Sequence, residues 1–187
     1  DGGMLSVFES APQVGGVVRE QETEKLEKFI YLLQKTLKER KEQLQGVNYV
    51  QYIQTAEKPL SAIVVVLDNM AAFREITEDN YTDFFYSLLR EGTAYGIYFA
   101  IAANGFGVYD IPGRMQDFFK IRIALGLPDK YKYMEVLNIP QISFLPPKQK
   151  KGAGLVVVEN RPLELQIALA GGKDVHERRE KLKKWCD

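Results

Sequence analysis

The residues of this chain that are best placed to do chemistry are Asp68 and the asparagine after it, Asn69. They follow five branched-chain apolar residues in a row, Ile63–Leu67. An unbroken apolar run of this length predicts a strand buried on both faces of a parallel sheet. A carboxylate at the carboxyl end of such a strand lies where α/β folds bind their ligands. The pattern therefore predicts a ligand or Mg²⁺ site at Asp68.

In P-loop nucleotidases, the aspartate in this position is the Walker B residue, which holds the Mg²⁺ of a bound nucleotide. The partner motif, G-x-x-x-x-G-K-[ST], is absent from the sequence. Many hydrolysing proteins of this class carry a glutamate where this chain has Asn69, and an asparagine cannot take a proton at neutral pH. We therefore expect no ATP hydrolysis by this chain. Asn69 can still hydrogen-bond a water molecule and position it. The alternatives are that Asp68 caps the following turn and that Asn69 is a neutral loop residue.

Length and composition narrow the class of protein. A chain of 187 residues is expected to form one domain with a sizeable core. A net charge of zero gives no reason to expect binding to nucleic acid or acidic lipid. The single cysteine, Cys186, excludes an intrachain disulfide framework and fits a reducing compartment. The longest apolar stretch, Gly96–Ala103, is too short to cross a bilayer. The start at Asp1 suggests a piece excised from a longer protein.

Apolar periodicity predicts helices that alternate with strands. An apolar stripe predicts a helix from about Gln21 to Gln45, and Asn80–Arg90 is predicted as a second amphipathic helix, capped by Asp79 or Asn80. Alternation of this kind favours an α/β fold with a mostly parallel sheet. Two further strands of this parallel sheet are predicted at Gly96–Ala103 and Ile121–Leu125. The other predicted elements are a strand end at Leu5–Phe8, helices at Arg114–Phe119, Lys130–Leu137 and Val175–Trp185, and a terminal hairpin of Leu155–Glu159 with Leu163–Leu169.

The order of these pieces resembles the FtsK/SpoIIIE motor domain and, within that family, the multi-domain ATPases of type VII secretion, the EssC/YukB type. The resemblance rests on seven short segments that occur in the family's order. They are Ala11–Gly15, Lys38–Arg40, Ile63–Asp68, Arg90–Tyr98, Ala102–Asn104, Ile121–Leu125 and Leu163–Gln166. Each segment alone is weakly specific, whereas seven in order are fairly specific and cover nearly the whole chain.

The resemblance implies a RecA-like, P-loop-type fold: a mostly parallel sheet flanked by helices, with a C-terminal antiparallel hairpin. It also implies that residues 1–187 are a single motor-domain fragment that begins after the Walker A region. This sequence departs from the family at four functional positions. Asn69 replaces a glutamate, Thr93 the second arginine, Asn104 a glutamine and Tyr98 a histidine. These departures together imply a degenerate ATPase module with a degenerate Walker B motif.

The function implied by the resemblance is assembly and secreted-substrate recognition in a membrane-associated type VII secretion motor. Its partners are then neighbouring ATPase modules of the same parent chain and secreted WXG-type helical-hairpin proteins, with a homo-oligomer left open. The intact family binds Mg-ATP, but we expect no cofactor in this chain. The parent protein is expected at the cytoplasmic face of the bacterial membrane. The alternative is an active ATP-hydrolysing translocase, for protein or DNA, whose P-loop lies outside this chain; zero net charge and Asn69 count against DNA.

The remaining candidate site residues follow from the resemblance and from aromatic content. Asp68 corresponds to a vestigial Mg²⁺ ligand, Asn104 to a sensor and Arg90 to a finger that reaches a neighbouring subunit's nucleotide. Their plain readings are a satisfied polar group at a strand end for Asn104 and an exposed helix arginine for Arg90. The substrate groove is predicted where aromatic side chains exceed the needs of one core face. Its residues are Tyr81, Phe84, Phe85, Phe106 and Tyr109.

Overall fold

The computed structural model describes residues 5–146, 150–168 and 174–186, apart from the side chain of Trp185. Within these residues, helices and strands are interspersed along the chain, with five strands divided between two sheets. This arrangement confirms the predicted α/β class. In the described ranges, no helix combines the length and the apolar character that crossing a membrane requires.

The first sheet is parallel and consists of β1 (Ile63–Asp68) and β2 (Ile97–Ala102), which pair in register from end to end. One face of this sheet packs against helices and includes Val65 and Ile97, which are 5% and 0% exposed. On the opposite face Val64 is 61% exposed. The prediction that β1 is buried on both faces is therefore wrong for this chain, because the helices that pack on the pair contact one face.

The second sheet is antiparallel and has the strand order β3–β4–β5. Its strands are Ile123–Leu125, Ala153–Val158 and Arg161–Gln166. The terminal hairpin is thus confirmed as β4 and β5; Leu169, the end of its predicted range, lies outside the described residues. The expectation that Ile121–Leu125 belongs to the parallel sheet is wrong. The third strand is only three residues long and pairs with β4, where Gly154 lets it approach closely: a Cβ at Gly154 would lie 2.4 Å from the Leu125 side chain.

The helices are α1 (Thr23–Leu44), α2 (Tyr49–Thr55), α3 (Met70–Ile76), α4 (Thr82–Glu91), α5 (Gly113–Gln116), α6 (Lys130–Leu137) and α7 (Val175–Cys186). Of these, α2 and α3 were not predicted. Leu5–Ser10 is a 3-10 helix, so the strand end predicted at Leu5–Phe8 is wrong. The predicted caps of α4 are also wrong, because Tyr81 occupies the N-cap position without a side-chain hydrogen bond.

Arg40 joins helix α1 to the starts of both parallel strands. Its guanidinium donates hydrogen bonds to the carbonyl oxygens of Tyr95 and Gly96, at 2.7 and 3.1 Å, and to that of Ser61 at 2.7 Å. The residue is 7% exposed, and desolvation by burial lowers the pKa of Arg40. A buried guanidinium that satisfies three carbonyls fixes two chain segments at once. Arg40 therefore sets β1 against β2 at the end opposite Asp68.

Tyr49 completes this end of the sheet by packing on Gly96. Gly96 has a φ of 71°, and a Cβ on it would lie 2.5 Å from the Tyr49 ring. The Tyr49 hydroxyl donates to the carbonyl oxygen of Leu60 at 2.8 Å. Glycine is required at position 96 on both counts, since side chains rarely adopt this φ and the ring leaves no space.

Candidate functional site

Asp68 lies at the carboxyl end of β1, where it pairs with Ala102 of β2. It is exposed, and its carboxylate makes no hydrogen bond or ion pair with the described part of the chain. The backbone ladder continues one residue further, because the amide of Asn69 donates to the carbonyl oxygen of Ala102 at 3.0 Å. The carboxylate thus lies at the carboxyl edge of a parallel pair, the position predicted from the sequence, and its role in binding a ligand stays a prediction.

Asn69 caps helix α3. Its backbone is left-handed, with a φ of 75°, and its side-chain oxygen accepts a hydrogen bond from the amide of Ala72 at 3.2 Å. Asparagine tolerates this conformation better than most residues and is a preferred N-cap. The capping role considered for Asp68 therefore belongs to Asn69. A role for Asn69 in positioning water stays a prediction.

The residues at this edge supply one carboxylate toward a metal. Among the described residues, no group of three or more His, Cys, Asp or Glu side chains is arranged to hold a metal ion. Mg²⁺ is normally bound by one or two carboxylates together with substrate phosphate oxygens and water. Asp68 alone therefore does not fit a complete Mg²⁺ site, and the chain lacks a P-loop sequence that could bring the phosphates to it.

The loop after β2 is held in place by hydrogen bonds from side chains of α3, of α5 and of the loop itself. The amide nitrogen of the Gln116 side chain donates to the carbonyl oxygens of Phe106 and Ile111, both at 3.0 Å. The Asp110 carboxylate accepts from the amide of Gly107 at 3.2 Å. Arg74 of α3 donates to the carbonyl oxygen of Tyr109 at 3.1 Å. The loop therefore has a defined shape although its tip lies at the surface.

The tip of this loop carries two exposed apolar side chains, Val108 and Tyr109, which are 62% and 88% exposed. Asn104, at the start of the same loop, is exposed and has no hydrogen bond within the described residues. The structure thus places the proposed sensor residue beyond the end of β2 and the aromatic tip a few residues further. The sensor role of Asn104 stays a prediction.

The five aromatic residues assigned to a groove do not share one surface. Phe85 is 1% exposed and stands in the core, in edge-to-face contact with Phe73 at a centroid distance of 5.0 Å. Phe84 and Tyr81 are partly buried and pack against the same cluster. Phe85 is therefore not accessible to a partner, because α4 turns it inward. Of the five, Tyr109 is the one that the fold leaves largely exposed.

Phe106 lines a half-open cleft of about 260 Å³ between the loop, α5 and α6. The guanidinium of Arg122 lies over the Phe106 ring, with its carbon 4.4 Å from the centroid. Burial lowers the pKa of Arg122, and the charge of Asp117 opposes this. The cleft is lined by Phe106, Gly107, Val108, Gln116, Asp117, Arg122, Glu135 and Asn138. Aromatic, amide and charged groups thus line this cleft together.

Arg90 lies in the last turn of α4 and is exposed. Its guanidinium carbon is 5.8 Å from the centre of the Tyr86 ring. Arg114 lies nearer the same ring, at 4.9 Å, and forms an ion pair with Asp83. These contacts fit the plain reading of Arg90 as a surface residue, and its action on a neighbouring subunit stays a prediction.

Sequence reasoning missed the residues that build the loop and the cleft, namely Arg74, Gln116 and Arg122. Each donates to backbone carbonyls, and for Arg74 these carbonyls lie 34 and 35 residues away in the chain. The alternation of Arg122 with apolar residues in the segment Ile121–Leu125 was a weak signal, since a charged residue inside a predicted strand needs a partner.

No family model matches this sequence, and neither does any curated protein. Solved structures, by contrast, are similar over nearly the whole chain. EssC (ATPases 2 and 3) from Geobacillus thermodenitrificans gives a TM-score of 0.78 at 24% identity, covering 97% of this chain and 34% of that one. EccC (ATPases 2 and 3) from Thermomonospora curvata, in complex with a signal sequence peptide, gives 0.75 at 17% identity, covering 100% and 35%.

The cytoplasmic domain of the Thermomonospora curvata type VII secretion ATPase EccC gives a TM-score of 0.66 at 18% identity, with 89% of this chain and 21% of that chain covered. This chain thus spans about a third or less of the length of these three proteins. At these identities the likeness establishes the fold. The chain has the fold of the ATPase domains found in EssC and EccC.

Proposed function

We propose that this chain is a degenerate ATPase module of a type VII secretion motor of the EssC/EccC kind, and that its work is protein recognition and assembly. Its proposed partners are neighbouring modules of the same parent chain and secreted helical-hairpin proteins of the WXG type. The parent protein is proposed to act at the cytoplasmic face of the membrane. The TM-scores to two structures that each contain ATPases 2 and 3 support this setting.

The observation that carries the recognition role is the rigid loop after β2, which presents Tyr109 at 88% exposure. A loop held by Arg74, Asp110 and Gln116 loses little conformational freedom on binding. Exposed tyrosines on preorganised surfaces are frequent anchors of protein interfaces. The EccC structure that holds a signal sequence peptide adds support, because that protein has a similar fold.

The loss of ATP chemistry is proposed on two grounds. Asn69 caps helix α3, and an asparagine side chain cannot act as a general base toward a water molecule at neutral pH. Asp68 is a single carboxylate without accompanying ligands in the described residues. We therefore propose that this chain alone neither hydrolyses nor appreciably binds Mg·ATP.

A second candidate function is supported by one feature, the Asp68 carboxylate at the carboxyl edge of the sheet, which has no partner among the described residues. A P-loop outside this chain could use that carboxylate, and the module would then be part of an active translocase. The sequence upstream of Asp1 in the parent protein separates the two candidates. A G-x-x-x-x-G-K-[ST] motif close upstream favours the second.

The recognition role is tested by titrating a fluorescent tail peptide of the WXG-type substrate encoded with the parent protein. The expected result is saturable binding that Tyr109→Ala weakens at least about fivefold, the effect of an interface anchor. Tyr31→Ala is the matched control, because Tyr31 is 67% exposed but belongs to α1. An absence of binding by the folded wild-type chain contradicts the recognition role and leaves the assembly role alone.

A further inference from the structure

We propose that the cleft beside Phe106 takes one basic side chain of a bound polypeptide and that Asp117 is its counter-charge. This inference rests on the proposed recognition role and specifies the chemistry of the partner. Three observations support it: the volume of the cleft, the contacts that its charged side chains already make within the fold, and the exposed apolar side chains beside it.

The size of the cleft favours a side chain over a small molecule. Its volume of about 260 Å³ lies below the range of roughly 300–1,000 Å³ that is typical of small-molecule pockets. It is open on one side, so a side chain can enter while its backbone stays at the surface. A lysine or arginine side chain suits such a space, because its aliphatic stem can lie along Phe106 and Val108 while its charge reaches the rim.

The cationic group that lines the cleft, the guanidinium of Arg122, is hydrogen-bonded to backbone carbonyls of the chain. Arg122 donates three hydrogen bonds to carbonyl oxygens, to Phe119 at 3.0 Å, Val136 at 3.2 Å and Gln116 at 2.9 Å. Its planar group also stacks on the Phe106 ring. Arg122 thus holds the floor of the cleft together, and three of its five donors are no longer offered to a ligand.

The carboxylates of the cleft differ in how far they are neutralised. Glu135 forms an ion pair with Lys132 at 2.7 Å. Asp117 is exposed and makes no hydrogen bond or ion pair through its side chain within the described ranges. The Asp110 carboxylate lies close enough to Lys132 to contribute to its raised pKa. The lining therefore has two carboxylates, Asp117 and Glu135, against the one guanidinium of Arg122, whose charge interacts with that of Asp117. Of these two carboxylates, Asp117 is the one without a hydrogen bond or ion pair among the described residues.

The surroundings of the cleft suit a polypeptide rather than an isolated cation. Val108 lines the cleft and is 62% exposed, and Tyr109 follows it on the same rigid loop. A partner that places a basic side chain on Asp117 can therefore place a neighbouring apolar side chain on Val108 or Tyr109. Apolar contact next to a single exposed ion pair is needed, because such a pair alone contributes little free energy.

The cleft is tested with small probes by NMR on the ¹⁵N-labelled chain. N-acetyl-arginine amide should shift the amides of Gly107, Asp117 and Asn138 at millimolar concentration. N-acetyl-citrulline amide, which has the same shape without the charge, should bind about two- to fivefold more weakly, the range for an exposed ion pair. Asp117→Asn should reduce binding of the arginine probe to that of the citrulline probe. Glu57→Gln, at another exposed carboxylate, should leave it unchanged.

Three results overturn the inference: no shifts from the arginine probe, equal affinity for the arginine and citrulline probes, or tighter binding of N-acetyl-aspartate amide. The last would assign the cleft to an anion held by the two remaining donors of Arg122. Failure here is distinguishable from failure of the recognition role. A tail peptide that binds wild type and Asp117→Asn equally removes the cleft from the interface but keeps recognition, whereas a peptide that binds neither contradicts recognition itself.

Discussion

Asp68 and Asn69 are adjacent in sequence and have opposite environments. The Asn69 side chain accepts a hydrogen bond from Ala72 at 3.2 Å and begins helix α3, whereas the Asp68 carboxylate is exposed and unpaired within the described residues. The position at which the family resemblance predicts a glutamate is therefore a structural cap in this chain. Two consequences, for stability and for chemistry, can be tested at this one residue.

Asn69→Glu is expected to lower the free energy of unfolding by about 1–2 kcal/mol, because it removes the N-cap and places a less tolerant residue at a positive φ. It should not restore ATP turnover. Asn69→Asp is the control, since aspartate also caps helices and tolerates this conformation. Urea unfolding and a phosphate-release assay measure the two effects. Phosphate release by the glutamate variant would contradict the proposed loss of ATP chemistry, and an unchanged free energy of unfolding would contradict the capping role.

Arg40→Met is expected to destabilise the chain by about 2–4 kcal/mol, because it leaves the carbonyls of Tyr95, Gly96 and Ser61 without their charged donor in a buried site. Arg40→Lys should recover only part of this loss, since an ammonium cannot reach all three carbonyls as the planar guanidinium does. Lys38→Ala, at an exposed position of the same helix, is the control. A loss below about 0.5 kcal/mol, the range of ordinary surface changes, would contradict the role of Arg40 in holding β1 against β2.

Gly96→Ala is expected to cost more stability than Gly46→Ala. Both glycines have a positive φ, 71° and 88°, but the space around Gly46 is open while a Cβ at Gly96 meets the Tyr49 ring at 2.5 Å. The difference between the two variants therefore isolates the steric conflict from the backbone strain. Adding Tyr49→Ala to Gly96→Ala should be less than additive. Strict additivity in chemical denaturation would show that the ring is not the obstacle.

Protonation of Asp79 is expected only below the ordinary aspartate pKa of 3.8, because hydrogen bonds from Arg74 and Thr82 lower the pKa of Asp79 in the folded chain. A lowered folded pKa stabilises the fold at neutral pH, and this contribution is lost as the pH falls through the folded value. Arg74 also holds the carbonyl of Tyr109. Carboxyl NMR titration should place the midpoint below 3.8 in wild type and nearer to it in Arg74→Gln; an unchanged midpoint in the variant refutes the assignment.

The positions of the main elements could be read from the sequence, whereas several contacts between them could not. The apolar run of β1 and the stripe of α1 have periods that local sequence determines. Arg40 donates hydrogen bonds to carbonyl oxygens that lie 21 to 56 residues away in the chain, and no local sequence pattern encodes such contacts. The exposed face of β1 was also unreadable, because Val64 has the same side chain whether or not a helix covers it.

The candidate site was predicted in outline but not in its working parts. Asp68 lies where the sequence places it, at the edge of a parallel pair. Aromatic content alone indicated a surface around Phe85, but the period of α4 turns that residue into the core. The cap at Asn69 does have a local signal, because an asparagine precedes a run of helix-forming residues.

The proposal that this chain recognises protein without nucleotide chemistry is tested most directly by one titration. The labelled substrate tail peptide is titrated with the chain by fluorescence anisotropy, in the presence and in the absence of Mg·ATP. We expect saturable binding with the same dissociation constant under both conditions. Peptide binding that appears only with Mg·ATP, or that Mg·ATP tightens, would contradict the proposal. Such a result would favour Asp68 as part of a nucleotide-binding site.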